Sequence, residues 1–261
     1  MSSKIDVSLS GSVAILRLND PASMNALSVE MVEAMRAAVA EAARSARVLV
    51  LAGSARAFSS GANLTGGMVG EQAGSERDAG AILESHINPL MVALRDLNIP
   101  WIAAVRGAAA GVGCSLALAA DLIVAGESAY FLQAFRRIGL VPDGGSTYLL
   151  VKAVGRVRAM EMMLLGEKIP ADKALAWGLI NRVVRDDMVE DTALALARDM
   201  AEGPTVALGL IRKSAWLATS ADFETSLQAE RNMQAEAGRT ADFKEGVAAF
   251  RDKRPARFTG T

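Results

Sequence analysis

Two glycine-bearing turns have the makings of a reactive site. Arg56-Ala57-Phe58-Ser59-Ser60-Gly61-Ala62-Asn63-Leu64 follows the apolar run Val48 to Ala52, and its small residues let a ligand approach the main chain closely. Val105-Arg106-Gly107-Ala108-Ala109-Ala110-Gly111-Val112-Gly113-Cys114-Ser115 leads from an apolar run into a helix-like stretch. The first N–H groups of a helix have no partner inside it, and the helix dipole favours negative charge there. Two N–H groups, one from each turn, can converge on one oxygen and stabilise the charge that develops when a proton beside a carbonyl is removed. Each turn also fits a plainer reading, an ordinary strand-to-helix connection. A dinucleotide fingerprint fits poorly, because Leu116 stands where the third glycine belongs.

Alternating strand-like and helix-like segments position these turns. Val13 to Leu18 alternates like a strand, whereas Val48 to Ala52, Trp101 to Val105 and Leu122 to Ala125 are continuous apolar runs that suit buried strands. Ser28 can cap a helix reaching about Ala43, with Met31, Met35, Ala38 and Val39 at helical spacing. Gly111 to Ala120 reads as a small-residue helix, and Asp143 as a possible N-cap for a helix over Gly144 to Val154. The alternation argues for an α/β fold with a mostly parallel, helix-covered sheet. Gly66 to Arg77 reads as a mobile loop beside a binding site. From about Ala171 the pattern turns helical, with Pro204 near a helix start.

The 261 residues, 51% hydrophobic and 22% charged, suit one large domain with room for a smaller helical appendage. A net charge of −1 gives no bulk electrostatic case for nucleic acid or an anionic membrane. One cysteine, Cys114, excludes an internal disulfide framework, and one histidine, His86, leaves no His/Cys metal cluster. No signal-peptide pattern or membrane-length apolar run is seen, so a soluble, cytoplasmic protein is expected. His86 reads as exposed or as a satellite of the core, Arg136 and Arg137 as a solvated charged face, and Asp121 as a helix end or a partner for a local N–H.

Three blocks, in order along the chain, resemble those of one family. Ser60-Gly61-Ala62-Asn63-Leu64 is similar to the Ala-Gly-Ala-Asp-Leu turn of the crotonase, or enoyl-CoA hydratase/isomerase, superfamily. Val105-Arg106-Gly107 through Asp121-Leu122-Ile123, and Phe131-Leu132-Gln133 through Gly139-Leu140-Val141-Pro142-Asp143-Gly144-Gly145, resemble its next two blocks. The resemblance covers essentially the whole chain. It is strongest to the epoxyphenylacetyl-CoA/oxepin-CoA isomerase branch, through Ala237-Gly238-Arg239, Glu245-Gly246-Val247 and Phe258-Thr259-Gly260 as well.

It implies a crotonase-like ββα spiral over 1–195 with the CoA-ester site, and a helical trimerisation region over 196–261 that makes homotrimers or dimers of trimers. It implies coenzyme A as part of an acyl-thioester substrate and no permanently bound cofactor or metal. The oxyanion donors fall on the backbone N–H groups of Ala62 and Val112. Met24, Ala26, Ala57, Ser60, Asn63, Leu64, Ala108, Ser115, Phe135 and Pro142 fall on substrate-binding positions, and Lys253 and Arg254 on a stretch that reaches a neighbour's CoA.

The departures are informative. Ser115 and Phe135 occupy the positions of the two hydratase glutamates, and neither is a general base at neutral pH. Asp143 remains as the acid/base candidate and resembles the single aspartate of the family's isomerases. The expected activity is isomerisation of an enoyl-CoA-type thioester. Hydration by Asp143 and an ordered water, and a non-catalytic scaffold, are the alternatives.

Overall fold

The computed structural model describes residues 4–64 and 78–261; the stretch expected to be a mobile loop, Gly66 to Arg77, lies outside them. The chain opens with a hairpin, β1 (Ile5–Ser10) and β2 (Val13–Leu18), then α1 (Val29–Ser45). Three units follow, each made of two strands and a helix. They are β3 (Val48–Ala52), β4 (Ala57–Ser59) and α2 (Asn88–Arg95); β5 (Trp101–Val105), β6 (Ala108–Ala110) and α3 (Val112–Leu118); and β7 (Leu122–Gly126), β8 (Tyr130–Leu132) and α4 (Ser146–Leu165). Then come β9 (Ile169–Pro170), α5 (Ala171–Ala176), β10 (Arg182–Val184), α6 (Val189–Glu202), α7 (Thr205–Ala218), α8 (Phe223–Ala237) and α9 (Ala241–Asp252).

The first strand of each unit joins a six-stranded sheet, β1-β2-β3-β5-β7-β10, and the second joins a four-stranded sheet, β4-β6-β8-β9. The units therefore stack as a ββα spiral. Among the strand pairs of the described residues, β1–β2 and β8–β9 are antiparallel and the others parallel.

Burial explains the continuous apolar runs. Leu49, Leu51, Ala103, Val105 and Ile123 pack into the main core, while Val48, Val50, Ile102, Ala104 and Val124 face the other way. That outer face is covered by α6, through Val189, Ala193, Ala197 and Ala201 at helical spacing. With both faces covered, no polar alternation is required. Glu190 of α6 pairs with Arg17 of β2 and lies 3.6 Å from Arg106, which fastens the helix to the sheet.

Helix α1 starts as its sequence predicts: the Met31 N–H donates to the Ser28 hydroxyl, and Met31, Met35 and Val39 are buried. Several boundaries differ from expectation. The small-residue helix is confined to Val112–Leu118. The helical C-terminal pattern is interrupted by β10, which adds to the six-stranded sheet. The boundary placed between 195 and 196 falls inside α6.

The C-terminal helices are anchored by polar contacts. Arg212 of α7 is buried, pairs with Asp121 at 2.5 Å and donates to the carbonyls of Leu94 and Leu97. Asp121 also accepts the Trp101 N–H at 2.8 Å, so it is a structural bracket. Buried Asp242 accepts the N–H groups of Thr259 and Gly260, holding the chain end on α9.

Candidate active site

The two glycine turns meet at one cavity of about 250 Å³. Ser60, Gly61, Ala62 and Leu64 border it from the first turn, Gly111 and Val112 from the second, and Phe135, Leu140 and Asp143 from the segment before α4. Ile82, Leu83, Ile87 and Ile138 make much of the remaining wall apolar, and Arg137 also borders it. A larger cleft, about 920 Å³, opens between α1, α2 and α7 but includes neither turn. Its arginines are already engaged, Arg95 with Asp96 and Arg47 with Thr205 and main-chain carbonyls.

Among the described residues, the main-chain pattern leaves the Ala62 N–H of the first turn, and the Val112 and Gly113 N–H groups of the second, without a main-chain acceptor. In the first, the Leu27 N–H donates to the Gly61 carbonyl at 2.7 Å, and the Asn63 N–H donates to the Leu27 carbonyl at 2.9 Å. In this parallel bridge of Leu27 with Ala62, the groups on either side of Ala62 face Leu27, so its own N–H faces away. In the second turn, the Gly111 N–H is used by the Leu132 carbonyl, and the Gly111 carbonyl accepts from Cys114 and Ser115. Val112 is the first residue of α3, and its N–H has no acceptor within the helix.

Asp143 supplies the only carboxylate of the cavity wall among the described residues. Its Oδ1 is buried and has no hydrogen-bond partner among the described residues. Burial beside apolar side chains pushes its pKa up to about 6. It does not cap α4. Gly144 and Gly145 both take positive φ, +58° and +77°, and carry the chain one further turn, so the helix starts at Ser146 with no side-chain cap.

The other expected site residues divide. Ser60, Leu64 and Phe135 border the cavity beside Ala62, Val112 and Asp143. Met24 is exposed at φ 54° and is tied to the first turn, its carbonyl accepting the Ser60 N–H at 3.0 Å. Ala26 is buried next to that turn, and Asn63 holds Leu27 through its main chain. Ala57 and Ala108 are paired and buried in the four-stranded sheet, away from the cavity wall. Pro142 borders a separate shallow recess with Ser146 and Tyr148. Ser115 is fully buried and does not border the cavity; its hydroxyl donates to the Asp143 carbonyl at 2.9 Å.

Arg136 and Arg137 differ from a free charged face. Their guanidiniums donate to the carbonyls of Leu164, Leu165 and Gly166 at the end of α4. Such carbonyls lack helical partners and attract cations. Arg254 is held by both carboxylate oxygens of Glu245. His86 sits in a π-helical turn, with Nδ1 at 2.7 Å from the Ser85 hydroxyl and Nε2 at 3.5 Å from Glu33. The segment ending at Ile87, expected at the pocket wall, supplies Ile82, Leu83 and Ile87 to the cavity, whereas sequence reasoning missed Ile138 and Leu140, whose apolar character alone does not separate a cavity wall from a core.

A ββα spiral whose glycine turns share a cavity with one desolvated carboxylate has the architecture of a CoA-thioester enzyme of the crotonase type. The chain belongs to the enoyl-CoA hydratase/isomerase family, whose model matches residues 8–261. It is 42% identical over 252 residues to a "Probable enoyl-CoA hydratase" of Rhodobacter capsulatus, covering 97% of this chain and 96% of that one. It is 42% identical over 250 residues to the 1,2-epoxyphenylacetyl-CoA isomerase of Escherichia coli, covering 95% of each. A crystal structure of an enoyl-CoA hydratase subunit from Geobacillus kaustophilus superimposes with a TM-score of 0.91 at 35% identity, covering 99% and 98% of the two chains.

Proposed function

We propose that this enzyme is an acyl-CoA isomerase that moves a proton, and with it a double bond, in an enoyl-CoA-type thioester. The Ala62 and Val112 N–H groups hold the thioester oxygen. Asp143 takes a proton from the acyl carbon, the C–H electron pair passes into the carbonyl as an enolate, and Asp143 returns the proton to another carbon. One carboxylate suffices when the proton leaves and returns on the same face of the acyl chain.

The observation that carries this reading is the Asp143 carboxyl, whose buried Oδ1 has no hydrogen-bond partner among the described residues, in the same cavity as the two glycine turns. A pKa of about 6 leaves it ionised at neutral pH yet close enough to be reprotonated. A pair of oxyanion donors is needed because an acyl-CoA α-proton is otherwise too weakly acidic for a carboxylate, and one such donor contributes roughly 3–4 kcal/mol. No cofactor is required for this step; coenzyme A enters as part of the substrate. The largely apolar wall suits an apolar acyl chain, with Arg137 the one cation of the wall among the described residues.

Hydration is the second reading, motivated by the name of the R. capsulatus relative. Ser115 and Phe135, at the hydratase glutamate positions, leave Asp143 alone to activate water. NMR in deuterated water, with a panel of 2- and 3-enoyl-CoA, ring-epoxide and oxepin CoA esters, separates the readings. Isomerisation with deuterium wash-in that vanishes in Asp143→Asn supports the isomerase. Rapid loss of crotonyl-CoA absorbance supports hydration, and wild-type turnover in Asp143→Asn overturns both.

The enzyme is further proposed to act as a homotrimer or dimer of trimers. Val157 and Leu164 of α4 and Phe223 and Phe250 of α8 and α9 are exposed in the single chain, and large exposed apolar side chains favour association. Sedimentation measurements test this.

A further inference from the structure

We infer that Ser115 is a positioning residue, which sets the reach of the Asp143 carboxyl by tying that residue's main chain to the first turns of α3. The inference rests on the role proposed for Asp143. A carboxyl whose buried Oδ1 has no hydrogen bond among the described residues is oriented by its backbone and by packing. The Asp143 carbonyl accepts two hydrogen bonds, from the Ser146 N–H at 3.1 Å and from the Ser115 hydroxyl at 2.9 Å. The second joins the acid/base segment to the helix that begins with the Val112 N–H.

Packing makes this link stiff. Ser115 is fully buried, so its hydroxyl has no solvent partner to exchange with. Its Oγ also lies 3.4 Å from the Gly111 carbonyl, a second acceptor on the turn that presents Val112. One hydroxyl has one proton to give, and the shorter distance assigns it to Asp143. A side chain on Gly144 would begin 2.9 Å from the Ser115 Cβ and 3.2 Å from the Val112 Cγ2. The segment carrying Asp143 therefore lies directly on α3, with no spacer.

Proton transfer is sensitive to such placement, since a shift of about 1 Å can cost roughly 100-fold in rate. Ser115→Ala is expected to lower kcat roughly 10- to 100-fold, leave KM within about twofold, and move the midpoint of the acid limb of the pH profile. Thr240→Ala serves as the control. It removes a hydroxyl that caps α9, donating to the Ala237 carbonyl at 2.7 Å and accepting the Phe243 N–H at 3.0 Å, away from the cavity. It is expected to lower the melting temperature by a similar few degrees with little change in kcat.

The assay follows trans-3-hexenoyl-CoA conversion by absorbance and deuterium wash-in by NMR. Equal kcat in Ser115→Ala and Thr240→Ala, with an unmoved pH midpoint, overturns the inference while wild-type turnover leaves the proposed function standing. Wild-type kcat and pH midpoint retained in Asp143→Asn sink the proposed function itself.

Discussion

Gly61 and Gly111 touch, one from each turn. A Cβ on Gly111 would lie 3.7 Å from the Gly61 Cα, and a Cβ on Gly61 would lie 2.9 Å from the Ala110 carbonyl oxygen. The residue after each glycine carries a proposed oxyanion donor, so the contact sets the spacing of the pair. Gly111→Ala has room for its methyl but must hold φ near +51°, a strain on the order of 1–3 kcal/mol. Relaxing that strain turns the peptide that bears the Val112 N–H. Turnover is expected to fall more than tenfold while the melting temperature drops by only a few degrees, measured by steady-state assay and calorimetry.

Val112→Pro removes the second donor without removing the helix. Val112 is the first residue of α3, a position that accepts proline because its N–H has no helical acceptor. The expected outcome is a folded protein, by circular dichroism, with kcat reduced about 10²- to 10³-fold. Near-normal kcat would remove Val112 from the oxyanion pair.

The acid limb of the pH profile follows from Asp143. Its free carboxyl is pushed up to about 6 by burial, so kcat/KM is expected to fall tenfold per pH unit below that value. A limb centred near pH 4 would contradict a desolvated base.

The same shift bears on stability. The folded-state pKa lies above the ordinary value of 3.8, so between about pH 4 and 6 the folded protein binds more protons than the unfolded chain. Asp143 therefore stabilises least when ionised, above pH 6. Asp143→Asn removes that penalty and is expected to raise stability at pH 7.5 by about 3 kcal/mol, with the gain disappearing toward pH 4, as read by urea unfolding.

Arg212→Ala tests the bracket between α7 and the sheet. It leaves the Asp121 carboxylate, whose pKa burial already raises, without its cation. The expected loss is about 3–5 kcal/mol in chemical unfolding, far above that of a surface pair.

The sequence was most legible where one physical rule dominated. Val48 to Ala52 and Trp101 to Val105 read as buried strands because both faces are covered, and Ser28 read as a cap because its hydroxyl serves Met31. Strands β4, β6 and β8 were not legible. Each has three residues, and Ala108–Ala110 offers neither alternation nor branched side chains. The helix start after Asp143 was missed because two successive glycines, both at positive φ, delay it to Ser146. Ser115 was expected at the substrate, since position alone does not reveal that its hydroxyl is turned to the Asp143 carbonyl.

The covering of the six-stranded sheet by α6 has a consequence for synthesis. Val48, Val50 and Ile102 are made early, but the helix that shields them ends at Glu202. A chain still on the ribosome thus presents an unshielded, strand-forming surface for most of its elongation. Such surfaces aggregate, so a nascent chain stalled before Val189 is expected to need a chaperone that a chain released past Glu202 does not.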